Sequence, residues 1–447
     1  MRRGAAELLP AMLCAALTAC AVAAPAPAAA PPNPPDDSGA PSSIEQGQSP
    51  LDEGFDWTDR DWRLKKRIEA LQDTKFKAQI RTMYLDRNKY DTSESEAWAI
   101  GGYAGLKTGY FWEHVAFGVT GYMSEKLIGE EDRDGTLLLA PGQESYSVLG
   151  ELYADIKLTG DLHIYGGRKE YDTPYINRND TRMTPNTFEA ITLQGKCDLG
   201  GDKGTLNYMA GYFSQIKERN SDEFVAMSQD AGADIDRGVF AAGGLYKIGK
   251  FSFGAADYYS ADVINIFYTE AKYAVALPRD LELRLALQFS NQSSTGDDAL
   301  TGESFEANQI GLKAEVPVGP ALFTAAYTQA SGDADMRSPW SGHPGYTSVQ
   351  VEDFFRDGEG AFMLRAAYNF PCLAGLSTYA LWVHGSTPDQ AGQYARDEYN
   401  FNLQWVPPNG TLKGLSLRLR YAMVDEHGVN PDDLDDLRMI CSYDIPF

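Results

Sequence analysis

Two arginines one residue apart, Arg418 and Arg420 in the stretch GLSLRLRYAMV (414–424), are the first residues whose type and spacing point to chemistry. Side chains of a strand alternate between its faces. The two guanidinium groups therefore share a face with Ser416 and Ala422, while Leu415, Leu417, Leu419, Tyr421 and Met423 share the other. A planar guanidinium can hold a carboxylate through two parallel hydrogen bonds, and the next arginine along the strand can receive it. The same alternation places Arg81, Arg284, Lys313 and Arg365 on the polar faces of other segments, and Glu151, Tyr153 and Asp155, with Leu149 and Lys157, on the polar face of 146–158. A cationic wall opposite an acidic one would set up a transverse field, which low-dielectric surroundings focus and which attracts anions.

Other chemistries have weaker support. His114, His163, His343, His384 and His427 stand in no HExxH or other tight metal-ligand spacing. Neither a cofactor nor a metal is therefore expected. Cys197, Cys372 and Cys441 fit neither a zinc site nor a CxxC pair and read as small apolar residues. The net charge of −24 argues against nucleic acid, whose binders carry basic patches. Acidic runs such as GEEDRDG (129–135) and NPDDLDD (430–436) contain no complete calcium loop. A Ser–His hydrolase and a purely structural molecule remain as alternatives without a motif behind them.

The elements that must position these charges repeat along nearly the whole chain of 447 residues. Arg2 and Arg3 followed by the apolar run 8–22 read as a secretory signal (1–23), with Ala21-Val22-Ala23 as a cleavage site and Leu17-Thr18-Ala19-Cys20 as a competing lipobox. Residues 24–56 are rich in Pro, Ala, Ser and Asp and read as a linker. The segment 59–75 completes this lead-in as a short amphipathic helix. Beyond it no apolar run approaches the ~20 residues of a membrane helix, and the mean hydropathy is −0.36.

From residue 76 to 447 about eighteen alternating strands can be traced, the first at 76–85 and the last at 438–447. The links alternate in length. Thr159-Gly160-Asp161, Gly249-Lys250, PVGP (317–320) and PCLAG (371–375) are short, whereas the opposite set is mostly long and polar, up to the link at 331–359. Short turns alternating with long loops on an even strand count predict an all-β transmembrane barrel with apolar residues toward outer-membrane lipid and polar ones toward a wet lumen. The chain ends in Phe447, preceded on one face by Ile445, Tyr443, Cys441 and Met439, and this last strand must pair with the first because an open edge cannot face lipid.

Three stretches carry a family resemblance. GGRKEYDTPYINRNDTRMTPNTFEA (166–190), SPWSGHPGYTSVQVEDFFRDGEGAFMLRAAYNF (338–370) and PNGTLKGLSLRLRYAMV (408–424) resemble the third loop, the seventh loop with its following strand, and the penultimate strand of the OprD family of substrate-selective outer-membrane porins. The resemblance implies an eighteen-stranded barrel, third and seventh loops folded inward around a narrow eyelet, and passage of small carboxylate-bearing solutes along a row of arginines. It places Asp180 and Arg182 at the eyelet. A general, weakly selective diffusion porin is the alternative. The terminal Phe447 resembles the signal read by the barrel-assembly machinery; either a monomer or a homotrimer fits. One position departs from the family pattern: Leu381 stands before Trp382, where a basic residue is common.

Overall fold

The computed structural model describes residues 60–279, 281–428 and 433–447. The expected signal and linker lie outside these. The described chain opens with a helix, α1 (Arg60–Gln72), and two residues later enters the first of eighteen long strands. These are β1 (Lys75–Asn88), β2 (Glu94–Lys107), β3 (Val115–Ile128), β4 (Tyr146–Thr159), β5 (Leu162–Lys169), β6 (Thr187–Asp198), β7 (Thr205–Lys217), β8 (Val239–Ile248) and β9 (Phe251–Ser260). They continue with β10 (Ile264–Leu277), β11 (Leu281–Ser293), β12 (Glu306–Val318), β13 (Ala321–Gly332), β14 (Gly360–Asn369), β15 (Leu376–Gly385), β16 (Arg396–Trp405), β17 (Leu415–Glu426) and β18 (Leu434–Asp444). A two-residue strand, Val225–Ala226, pairs with the end of β7.

Each long strand is antiparallel to its neighbours, and β1 pairs with β18, from Gln79 opposite Asp444 to Asn88 opposite Asp435. The sheet thus closes as an eighteen-stranded antiparallel barrel, which leaves no unpaired edge for lipid to meet. The alternation read from the sequence sets the two faces. Phe76, Ile80, Leu152, Phe240, Leu312 and Phe323 stand exposed on the outside, where a soluble sheet would bury them. Among the described residues no helix is long and apolar enough to cross a membrane.

Three details depart from the sequence reading. β1 runs to Asn88 rather than stopping at residue 85, because ladder pairing to both neighbours continues through polar residues that a hydropathy pattern reads as loop. β18 covers 434–444, and only Ile445 continues its pairing, donating its N–H to the Ala78 carbonyl at 2.9 Å. In β4 the register slips at Gly150: Thr120 faces Glu151 while Gly121 faces Leu149. A bulge adds one residue and reverses the face beyond it. Leu149, expected in the lumen, is therefore 45% exposed on the outside, while Glu151 keeps its inward place at 5%. Cys197 and Cys441 are free thiols.

The long links fold back into the barrel and build a core there. Tyr175, Phe188, Phe213, Tyr258 and Trp340 are buried together, so the lumen is narrowed by packed side chains rather than by loosely draped loops.

Candidate functional site

Two loops make the constriction. The seventh loop (333–359) crosses from one wall to another. At its start Tyr346 donates to Glu270 of β10 at 2.7 Å, and the His343 Nε2 lies 2.7 Å from the Gln309 amide oxygen of β12. Farther along, the backbone N–H groups of Val351 and Glu352 donate to the buried Glu398 carboxylate of β16 at 3.0 and 2.8 Å. Gln350 donates to Asp436 of β18 at 2.8 Å. Glu352 also pairs with Arg396. A carboxylate receiving two backbone N–H groups satisfies donors that a loop inside a barrel would otherwise leave unpaired.

The third loop (170–186) is fixed to β1. The Arg81 guanidinium donates to both Asp180 oxygens, at 2.5 and 2.9 Å, and to the Arg182 carbonyl at 2.6 Å. Burial alone would raise the Asp180 carboxyl, but the Arg81 charge outweighs it and holds the group below its ordinary value. Arg182, expected at the eyelet, is only 5% exposed and turned into the junction with the second loop, where its Nε–H donates to the Thr136 carbonyl at 2.8 Å. Burial, reinforced by Arg438, Arg219 and Arg87, pushes it well below the usual arginine value. The two loops meet where Asn186 reaches the Trp340 carbonyl at 3.5 Å and the Tyr175 and His343 rings lie 6.2 Å apart.

The predicted basic residues stand on the strand faces opposite the exposed Ile80, Leu285, Leu312, Leu364 and Leu417, but their company differs. Arg284 pairs with Glu282 on its own strand at 3.0 Å, and Arg81 is committed to Asp180. Lys313 sits 4.7 Å over the Tyr346 ring of the seventh loop. Arg365 stacks 4.1 Å over Tyr379, and Arg420 reaches the hydroxyl of the same tyrosine at 3.4 Å. Among the described residues neither Arg365 nor Arg420 has an ion-pair partner, and the Nε–H of each is unsatisfied. Arg418 donates to the Asn402 amide oxygen at 2.6 Å. Two residues along a strand advance it by roughly 6.6 Å, so Arg418 and Arg420 form successive steps.

The row continues where the sequence reading stopped. Arg438 of β18 stands directly beside Arg420 across the ladder, and Asp436 bridges Arg438 at 2.6 Å and Arg87 of β1 at 2.6 Å. Both arginines follow the inward alternation of their strands. Arg87 lies beyond residue 85, where the hydropathy pattern ends the first strand, and Arg438 is the first residue of the last predicted strand, which in the structure begins at Leu434. Leu381, standing where the family commonly carries a base, lies beside Arg365 in the ladder and packs under the seventh loop with Tyr346 and Val349.

The facing wall is not simply acidic. Glu151 is bound by Lys77 at 2.6 Å and by the Thr120 hydroxyl. Asp155 accepts from Lys107 and Tyr110 at 2.7 Å, with His163 also at 2.7 Å. Tyr153 packs against Tyr165, ring centroids 6.3 Å apart. Because β1 and β4 are only three strands apart in the closed ring, Lys77 reaches Glu151 directly. Arg81, on the same strand as Lys77, belongs to the seam between the walls and not to the wall opposite β4.

This architecture has solved counterparts. The chain superposes on OccK9 (OpdG) of Pseudomonas aeruginosa with a TM-score of 0.76 at 24% identity, covering 85% of this chain and 100% of that one. A BenF-like porin from Pseudomonas fluorescens Pf-5 gives 0.75 at 20%, covering 85% and 100%. OpdK of P. aeruginosa, determined with vanillate, gives 0.73 at 20%, covering 84% and 99%. No curated protein matches the chain. A family profile described as outer membrane porin, OprD family, matches residues 69–447. With a closed lipid-faced barrel, inward loops and a profile match spanning all eighteen strands, the chain belongs to the OprD family of outer-membrane porins.

Proposed function

We propose that this porin passes small anionic solutes, carboxylates foremost, along the step from Arg365 and Arg420 over Tyr379 to Arg418. The observation that carries the reading is the absence, among the described residues, of any ion-pair partner for Arg365 and Arg420, whose Nε–H groups are also unsatisfied. A buried donor without a partner costs free energy, and a passing carboxylate relieves that cost while it is bound. The tyrosine between them holds both guanidinium groups in place without neutralising them. A neighbour solved with vanillate, an aromatic carboxylate, adds support by analogy. Phe447, 77% exposed beside Phe76, is read as the signal for barrel assembly.

Single-channel recording under a salt gradient, with benzoate as a blocker, tests this. Anion preference and benzoate block are expected, both reduced in an Arg365→Ala, Arg420→Ala variant. Cation preference without block, or block unchanged by the double substitution, would overturn the reading in favour of a weakly selective diffusion porin.

A further inference from the structure

Helix α1 precedes the eighteen strands of the barrel. It stands at the short-turn end of the barrel, which in an outer-membrane barrel is the periplasmic end, and it is held on the link between β2 and β3. The Gly109 N–H donates to the Ala70 carbonyl at 2.8 Å, Lys66 pairs with Glu113 at 2.5 Å, and the Arg67 guanidinium lies 5.4 Å from the Trp112 ring centre. Ala70 is 1% exposed as a result. One side of the helix is thereby fixed.

Among the described residues, none is shown packed on the other side. Leu64, Ile68 and Leu71 are 56%, 48% and 62% exposed, and spacings of four and three residues put them on one stripe. The lipid-facing rim follows closely along the chain: two residues past α1 the chain enters β1, where Phe76 is exposed beside Phe447 at 5.9 Å. Phe111 joins Trp112 and the exposed Phe117 at 5.9 and 6.1 Å. Aromatic residues gather where a barrel crosses the membrane interface. The charge of α1 also differs from that of the chain. RDWRLKKRIEALQ holds five bases and two acids, in a protein of net charge −24. An apolar stripe bordered by bases on a helix is the pattern of an interfacial helix on an anionic bilayer surface.

We propose that α1 is an interfacial anchor that lays Leu64, Ile68 and Leu71 into the periplasmic leaflet, with the exposed Lys65 toward anionic phospholipid headgroups. The tether supplies what three side chains alone would not: helix and membrane are already at high effective concentration, so little apolar area suffices. A second copy docking here would bury only this stripe, far below a stable interface. The barrel then carries a fixed collar at its periplasmic rim, independent of which solute it passes.

The test places a nitroxide label on the full-length chain at Ile68→Cys or Glu69→Cys, with the five native cysteines replaced by serine so that the label meets one thiol and Leu312→Cys as the lipid-facing reference. The protein is reconstituted in phosphatidylethanolamine–phosphatidylglycerol vesicles, and collision with oxygen is compared with collision with a water-soluble nickel chelate. The expected result is a lipid-like ratio at 68, near that at 312, a water-like ratio at 69, and a drop at 68 when phosphatidylcholine replaces the anionic mixture. Water-like ratios at both positions would overturn the proposal. So would spin–spin broadening at 68, which marks a second copy, or an unchanged ratio in phosphatidylcholine, which removes the headgroup contact.

Discussion

The two charged walls of the lumen differ less in how many charges they hold than in how those charges are spent. Along β1 to β5 the two acids predicted for the facing wall are matched: Glu151 by Lys77, Asp155 by Lys107 and His163. Along β14 to β17, Arg365 and Arg420 lie on a tyrosine instead of a carboxylate. A matched pair has little field left for a passing ion, whereas a cation stacked on a ring keeps its charge and open donors. The comparison teaches that the field follows the unmatched charges. Counting bases on one face and acids on the other, as the sequence invites, overstates both walls.

The largest change is expected from emptying the unmatched wall. Each hydrogen bond to a charged group contributes about 1.5–3 kcal/mol. The Arg365→Ala, Arg420→Ala variant should therefore weaken benzoate block by at least roughly tenfold, read from the concentration dependence of current blockade. Arg365→Lys with Arg420→Lys keeps the charge but loses the planar fork; anion preference should survive while block weakens. That outcome would separate field from recognition.

A second effect concerns the loop that covers this wall. Burial lowers His343 to about 4 from an ordinary 6.5, so the folded seventh loop keeps the imidazole neutral where a released loop would protonate it. The folded seat is at full strength above 6.5 and loses stability as pH falls toward 4. At pH 5 the loss is about 2 kcal/mol by proton linkage. Gating events in single-channel traces should rise between pH 7 and pH 5, and His343→Gln should flatten that rise. The third loop should behave oppositely. Arg81 holds Asp180 below its ordinary carboxylate value, so its seat is complete above that value and is lost only as pH falls through the lowered one. Amide protection factors in 170–186, corrected for the intrinsic rate at each pH, should therefore be unchanged between pH 7 and pH 5.

The smallest change should come from the matched wall. Lys77→Met leaves Glu151 without its lysine, although the Thr120 hydroxyl remains. The reversal potential should move modestly toward cations, by an amount equivalent to about 1 kcal/mol, because Lys77 is half-exposed and its pair is screened. A shift as large as that of the double arginine variant would mean that the two walls are equivalent, and the comparison would fail.

Fold and site were legible to different depths. All eighteen strands could be placed from alternation, and closure followed from the need to leave no edge in lipid. Of the site, the inward direction of Arg81, Arg284, Lys313, Arg365, Arg418 and Arg420 was readable because a strand's period is two. Leu149 escaped because one inserted residue reverses the face, and hydropathy does not mark a bulge at Gly150. Arg87 and Arg438 were hidden by strand ends, where polar residues in a lumen look like loop.

By itself the sequence determined the class of molecule: a long run of two-faced strands has one low-energy home, a closed barrel in lipid, since no other arrangement pairs every backbone group there. It also set which residues alternate onto one face of each strand, except beyond the bulge at Gly150. What each inward charge does was decided only by tertiary structure. Whether an arginine meets Asp180, Glu282 or Tyr379 depends on loops that fold back from far along the chain and on strands that become neighbours when the ring closes. Coulomb energy depends on distance in space, and that distance is set by the closed ring.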